Sequence, residues 1–512
     1  MSKTNQGEHV AIIDIGSNTI RLVIYQIGKS RRFYEVENIK TAARLRNHLD
    51  KQSFLTEPGI DMLMTTLQEF AEVLIPYSLK HFACVATATI RQAKNQHELI
   101  SLIKKELNWD MRILTEEEEA YYGYLAIANS TSIDEGITVD MGGGSTEVTY
   151  FKNRQLIAAH SFSFGTLTLA SLLDQSPDQT KNLQLIQEFI KPHFESLPWL
   201  RGRHIPLIAI GGSARNLAQL DQSIKAYPMA GLHQYQMDKS DIEHILTYLM
   251  TLPASKLTKL EGLSSDRSDI IIPAIKTFLI LFQTCAANRF ILSQKGLREG
   301  ITYQWLLKDQ PNHLLPSVVE KSIEELVHDF DLSINQIEHI HVLTKKWFDW
   351  LVKKELTPLE QADWLLLKRA AYIFNLGKYI DRESSAQHSF YLITNRTIDG
   401  LTHLERLKIA LIASFKNKTL FRQFSRPYQN WLTAHERKKL RFLGALLHFT
   451  YCLDATKRQV ITDFKLADQG SVIQMTLYCR KNFNAEVYNC EKQKKHIERE
   501  LNKELILNFQ PI

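Results

Sequence analysis

An apolar run, His9 to Asp14, ends in a carboxylate and is followed by Ile15-Gly16-Ser17-Asn18-Thr19, before a second apolar run from Ile20 to Tyr25. A carboxylate at a strand end, next to glycine and small polar side chains, suits a magnesium-bound phosphate. Glycine lets backbone N–H groups reach the phosphate oxygens, Ser17, Asn18 and Thr19 add donors, and the carboxylate holds the cation. The same residues also make a plain polar hairpin turn. The design returns around Asp140. Gly136 to Asp140 reads as a strand, Met141-Gly142-Gly143-Gly144-Ser145-Thr146 as a turn and Glu147 to Phe151 as the return strand. Two copies of one strand–turn–strand unit predict two related domains with both turns at one cleft, and the repetition favours phosphate binding over mere turning. A third element, Leu207 to Ile210 and then Gly211-Gly212-Ser213-Ala214-Arg215-Asn216, permits close backbone approach, although a strand-to-helix turn uses the same residues.

Four carboxylates, Glu116 to Glu119, follow Thr115. With Thr115 as N-cap, Glu118 stands at the third helical position and completes a capping box. Glu119 lies about 100° further round the helix and points elsewhere. Aimed into a phosphate-lined cleft, it is a general base for water. Acidic residues in a first turn also stabilise a helix through its dipole with no catalytic part. Arg91, after a strand read over Phe82 to Ala88, is either a bidentate phosphate ligand or a solvated arginine at a helix start. Arg267 with Asp269, and Arg298 with Glu299, read as structural ion pairs or helix-end features.

These residues need a scaffold of several cores. The 512 residues suggest about three domains at roughly 150 residues each, and 44% hydrophobic with 23% charged residues excludes a disordered or fibrous chain. Strands alternate with helical patterns (Ile60 to Leu74, Glu98 to Leu107) over the first part, as in an α/β domain. Beyond about residue 305 the alternation gives way to helical periodicity over 322–330, 335–354, 358–376 and 404–415. Ser471 to Arg480 then reads as a strand and Glu491 to Leu505 as a charged helix. The net charge of +6 falls short of a nucleic-acid binder's basic field. Five scattered cysteines without a C-x-x-C pair fit a reducing cytosol rather than disulfides or zinc. The most apolar stretch, Ile270 to Ala287, is broken by Pro273 and Lys276 and reads as a buried helix, so no membrane is expected.

The segments Asp14 to Leu22, Ala86 to Asn95, Glu117 to Ala120, Asp140 to Glu147, Gly211 to Asn216 and Gly296 to Gly300 together resemble the exopolyphosphatase and guanosine pentaphosphate phosphatase family, in order and spacing over roughly the first 300 residues. Any one motif would also suit sugar kinases, acetate kinases or chaperone ATPases of the same actin-like superfamily. The resemblance implies an α/β fold with two actin-like (ribonuclease H-like, ASKHA) domains flanking a cleft, then an all-α HD-like domain and a small mixed C-terminal segment. The expected limits are 1–125, 126–305, 306–460 and 461–512. It implies Mg²⁺-dependent release of terminal phosphate from inorganic polyphosphate, with Glu119 as base. Asp140 and Glu147 match the acids of the second loop, expected to hold the metal. Asp14, Ser17, Asn18, Thr19 and Arg91 match the phosphate contacts of the first domain. Gly16, Gly142, Gly143, Gly144, Ser145, Thr146, Gly211 and Gly212 complete the expected phosphate-binding set. Glu116 stands where the family often has Gly, which alters the helix entry and leaves the base in place.

The helical region is similar to the HD-like domain of longer members through Ala370 to Gly377 and His388 to Leu392, but Phe374-Asn375 replaces the His-acid pair. Phenylalanine cannot bind a metal, and His341 and His388 are isolated, so no second hydrolase site is expected there. Guanosine pentaphosphate hydrolysis at the same site is the nearest alternative, guanosine penta- or tetraphosphate then being the ligand. An actin-like small-molecule kinase and a non-catalytic guanosine polyphosphate sensor are more distant. The longer, multidomain form favours polyphosphate, which would need basic residues beyond the cleft. Lys345-Lys346, Lys353-Lys354 and Arg437 to Arg441 are the candidates, although each cluster also reads as solvated surface. A homodimer is implied by the resemblance alone.

Overall fold

A computed structural model describes residues 7–30, 32–172 and 179–512. The chain divides into two compact units. One comprises the residues up to Tyr227 with Leu232–Val318, the other Pro228–Gly231 with Val319–Ile512.

The first unit contains one sheet plan used twice. In the first sheet, β1 (His9–Ile15), β2 (Ile20–Ile27) and β3 (Phe33–Thr41) form an antiparallel meander. Parallel strands β4 (Leu79–Ala86) and β5 (Met111–Ile113) extend the other side of β1, giving the order β3-β2-β1-β4-β5. In the second, β6 (Gly136–Met141), β7 (Thr146–Lys152) and β8 (Gln155–Phe162) form the meander. There β9 (Leu207–Ile210) joins β6 in parallel, and beyond it come β11 (Phe290–Leu292) and the short antiparallel β10 (Gln236–Met237). This duplication is the actin-like fold. The equivalence reaches single residues. Asp14 faces Arg21 across the first hairpin and Asp140 faces Glu147 across the second. The Gly16 N–H donates to the Thr19 carbonyl at 3.0 Å, and the Gly142 N–H to the Ser145 carbonyl at 3.0 Å.

β1 reads as a nearly unbroken apolar run because both its faces are covered. Ala11 and Ile13 meet Leu63, Leu67 and Phe70 of the helix Glu57–Leu74, and Leu99 and Ile103 of Gln96–Leu107. Val10 and Ile12 meet Tyr122 and Leu125 of Glu116–Ala128, and Ile301 and Tyr303 of Leu297–Leu306. That core also takes Phe151, Ile208 and Ile210 from the second sheet, so the helix that carries Glu119 packs against both sheets. Ile137 and Val139 face a third core with Leu217, Ile245, Ile275 and Phe278. The strand expected to reach Ala88 ends at Ala86, and a short helix, Ala88–Gln92, carries Arg91. The apolar stretch forms the buried helix Ile271–Thr284. No helix among the described residues is long and apolar enough to cross a membrane.

The second unit is helical, with a small sheet. Its longer helices include Ile334–Lys353, Asp363–Tyr372, Ser385–Asn395, His403–Ala413 and Ala434–Cys452. The helix expected over 358–376 stops at Tyr372, and Asn375 adopts a left-handed φ of 58°. The helix expected over 491–505 is displaced, running from Asn484 to Leu501. Asn502, at φ 54°, caps it, and the chain returns as a strand. β12 (Ile461–Asp468), β13 (Val472–Cys479) and β14 (Glu504–Pro511) pair in that order, β14 parallel to β13.

Candidate active site

The two hairpin turns face one cavity of about 300 Å³. A Cβ added at Gly144 would stand 3.8 Å from Ser17 Oγ, an ordinary contact distance, so the glycine-rich turn and the first turn are neighbours across the cavity. Asp14, Gly16, Ser17, Asn18 and Thr19 line the cavity from the first hairpin, and Asp140, Gly142, Gly143, Gly144, Ser145 and Glu147 from the second. Gly211 and Gly212 line it as the start of the helix Gly211–Ile224. Gly211 has φ +93°, and a Cβ there would lie 2.9 Å from Asp140 Oδ1. Two of the expected phosphate contacts do not line the cavity. Thr146 is fully buried and donates its hydroxyl to the Phe164 carbonyl at 2.7 Å. Arg91 bonds Glu119 instead.

Thr115 caps the helix Glu116–Ala128. Its hydroxyl accepts from the Glu118 N–H at 3.2 Å, while its own N–H donates to Glu118 Oε2 at 2.9 Å. Glu118 is thereby committed to the backbone, and Glu119 turns into the cavity. Arg91 Nη1 bonds both Glu119 Oε1 and the Leu114 carbonyl, tying the carboxylate to the chain just before its helix. Glu116 stands 3.7 Å from the same guanidinium.

The carboxylates of the cavity repel protons' removal together. Burial raises Glu119 above the ordinary carboxylate range, Arg91 opposes the shift, and Asp14 and Asp140 add to it. Burial, then Asp14, push Asp140 up to about 6. Burial, then Glu119 and Asp140, raise Glu147, against hydrogen bonds from Ser145 and Ser161. Burial also raises Asp14, although Arg298 Nη1 stands 3.2 Å from Asp14 Oδ2. Among the described residues no group of three His, Cys, Asp or Glu side chains is arranged to hold a metal ion by itself.

Sequence reasoning gave no role to Arg21, Arg215 or Lys40 and treated Arg267 and Arg298 as structural, yet all five line the cavity. A signal for Arg21 was present. It lies as far after Asp14 as Glu147 lies after Asp140, so the internal repeat puts a guanidinium at the place where the other hairpin has a carboxylate. In the second unit Phe374 is buried and stacked on Tyr451, with ring centroids 4.3 Å apart, and His341 packs on Trp364. Four residues of the basic clusters there have carboxylate partners: Lys345 with Asp349 and Lys346 with Asp463, each at 2.5 Å, Lys439 with Asp363 at 2.9 Å, and Arg441 with Glu500 at 2.6 Å.

A model of the Ppx/GppA phosphatase family matches residues 23–309, and a model of domain III of Ppx/GppA phosphatases matches 318–504. Among solved structures, the Aquifex aeolicus member of the Ppx/GppA family is 26% identical, over 59% of this chain and 99% of its own, with a TM-score of 0.54. An exopolyphosphatase from Cytophaga hutchinsonii, 22% identical over 58% of this chain and 97% of its own, shares the fold with a TM-score of 0.53.

Proposed function

Because the chain belongs to the Ppx/GppA phosphatase family, we propose that it hydrolyses inorganic polyphosphate from its end, releasing the terminal phosphoryl group as phosphate. The observation that carries this reading is Glu119. It is a carboxylate on a helix packed against both sheets, fixed by Arg91, turned into a cavity lined by two glycine-rich turns, and raised by burial. In its ionised form Glu119 takes a proton from water as the water oxygen bonds to the terminal phosphorus. The anhydride P–O bond breaks, and its electron pair leaves on the shortened chain. Backbone N–H groups and the hydroxyls of Ser17, Thr19 and Ser145 orient the phosphoryl group, and Arg91 acts as a positioning residue on the base.

The donor set fits Mg²⁺. Its ligands are hard carboxylate oxygens; burial, and after it repulsion among the cavity carboxylates, raises Asp140 and Glu147, and a divalent cation would relieve that repulsion. Asp140 and Glu147 would hold it, with water and phosphate oxygens completing a shell that the protein alone does not fill. When bound, the cation offsets charge on the phosphoryl and leaving oxygens.

Guanosine pentaphosphate would use the same residues. Polyphosphate is favoured because, among the described residues lining the cavity, there is no aromatic ring on which a purine could stack. A cytoplasmic location fits the five cysteines, which are free and buried. Parallel incubations with Mg²⁺ test the reading, and phosphate release from polyphosphate is expected. Release from guanosine pentaphosphate alone would establish the alternative. ADP formed from ATP only with an acceptor would indicate a kinase, and binding without products a sensor.

A further inference from the structure

The same cavity carries four guanidinium groups, those of Arg21, Arg215, Arg267 and Arg298. Three have protein partners. Arg298 faces Asp14 at 3.2 Å, Arg21 Nη1 donates to Asn38 Oδ1 at 2.9 Å, and Arg267 Nη1 reaches Ser213 Oγ at 3.5 Å. The side chain of Arg215 has no ion pair or hydrogen bond among the described residues, and its Nε is buried without an acceptor. The Nε of Arg298 is buried and unpaired as well. Buried donors of this kind are costly to leave unmade. Nearby carboxylates already have partners: Asp14 has Arg298, Asp266 has Lys40 at 2.8 Å, Glu119 has Arg91, Glu299 accepts from the Tyr25 hydroxyl and the Gly296 N–H, and Glu35 accepts from Asn38. The guanidiniums also repel one another. Burial, then Arg298 and Arg215, lower Arg21; burial, then Arg298, lower Arg215 against Glu299 and Glu35; and burial lowers Arg267, with Arg215 adding to it and Asp266 opposing it. A partly buried wall of like charges with orphaned N–H groups is incomplete without an anion.

Its position relates it to the reacting end. A Cβ at Gly211 would press on Asp140, and one at Gly212 would collide with the Arg267 guanidinium. The carboxylates and the arginines therefore meet within one residue step at the start of the helix Gly211–Ile224, and Arg215 lies one turn further along that helix. A ligand whose end lies between the two hairpin turns would thus extend its next anionic group towards Arg215.

We infer that Arg215, flanked by Arg21 and Arg267, forms a second anion subsite that grips a phosphoryl group other than the one removed. The inference rests on the polyphosphate reading above. A planar guanidinium with free N–H groups matches phosphate oxygens two at a time, which a lysine cannot do. The cleft then selects ligands with at least two linked phosphoryl groups, one at the turns and one at Arg215.

Calorimetric titration with imidodiphosphate, a two-phosphoryl probe that resists hydrolysis, in the presence of Mg²⁺, tests this on wild type, R215Q, R215K and the exposed-surface control K259Q. Loss of one charge-assisted, two-pronged contact should weaken binding by R215Q about tenfold or more, with R215K between R215Q and wild type and K259Q like wild type. Unchanged thermal unfolding of R215K keeps the comparison valid if R215Q folds poorly. Binding by R215Q and R215K within about twofold of wild type, or no binding of the probe by wild type, overturns the subsite. Failure of the polyphosphate reading is read separately, as wild-type protein with Mg²⁺ that releases no phosphate from polyphosphate.

Discussion

Thr115 and Glu118 occupy each other in a capping box, and of the four adjacent carboxylates it is Glu119, held by Arg91, that lines the cavity. Glu119→Gln keeps the size and helix propensity but removes the basic oxygen. Phosphate release from polyphosphate should fall by about 10²–10⁴ while binding persists. Glu118→Gln should leave most activity and stability in place, since Gln serves equally at that position. Normal turnover in Glu119→Gln would mean that another group activates water. Asp140→Asn takes a charge from the expected cation shell, so the Mg²⁺ concentration for half-maximal turnover should rise, and an unchanged requirement would remove Asp140 from that shell. The capping box and the turn of Glu119 away from it were legible in the sequence because capping is a local rule. The place of Arg91 was not. Its guanidinium is aimed by where the helix Ala88–Gln92 lies against the start of the helix Glu116–Ala128, a contact between residues 28 positions apart.

At the scale of elements, the base is only as well placed as its helix. Gly300 of Leu297–Leu306 sits against the backbone of Tyr122, where an added Cβ would collide, and Tyr122 Oη donates to Gln304 at 2.8 Å. Gly300→Ala must force apart the helices that carry Glu119 and Arg298. We expect a loss of about 1–3 kcal/mol or more in urea unfolding together with slower phosphate release. Stability lost with turnover unchanged would uncouple the helix pair from the site.

In the second unit His448 lies among Phe374, Phe415, His496 and Gln493, and burial, with Lys378 and Lys416 nearby, lowers it to about 4. The folded state keeps the imidazole neutral while the unfolded chain, with a pKa of about 6.5, takes up a proton. The stabilisation is thus complete above about pH 6.5 and lost as pH falls towards about 4, by up to about 3 kcal/mol. Unfolding measured across that window should fall more steeply for wild type than for His448→Gln, and parallel curves would exclude the group. The hairpins and long helices were readable because each has a period or a repeated motif. Short strands such as β5 and β10 were not, because two or three residues carry no period and form only where a sheet edge receives them. The C-terminal helix was read too far because the left-handed Asn502 that stops it resembles any polar helix residue in sequence.

At the scale of the whole molecule, the duplicated sheet was legible from the repeated Asp–Gly turn, whereas the pairing of the basic clusters was not. Lys346 meets Asp463 and Arg441 meets Glu500 only after distant helices and strands have packed. Ion pairs thus occupy part of those clusters, while the glycine-rich turns and the cavity arginines lie in the first unit. Every residue lining the cavity lies between Asp14 and Arg298, and the cores around the two sheets are built from residues of that same unit. The Aquifex aeolicus relative is matched over 99% of its length by 59% of this chain, so a member of the family exists with no counterpart to the rest. A chain ending at Val318 should accordingly fold with one cooperative transition and bind imidodiphosphate with Mg²⁺ within about tenfold of the full chain. Circular dichroism melting and calorimetry check both statements. A shortened chain that melts cooperatively but no longer binds would show that the second unit completes phosphate recognition after all. One that fails to melt cooperatively would show that the first unit's cores are insufficient alone.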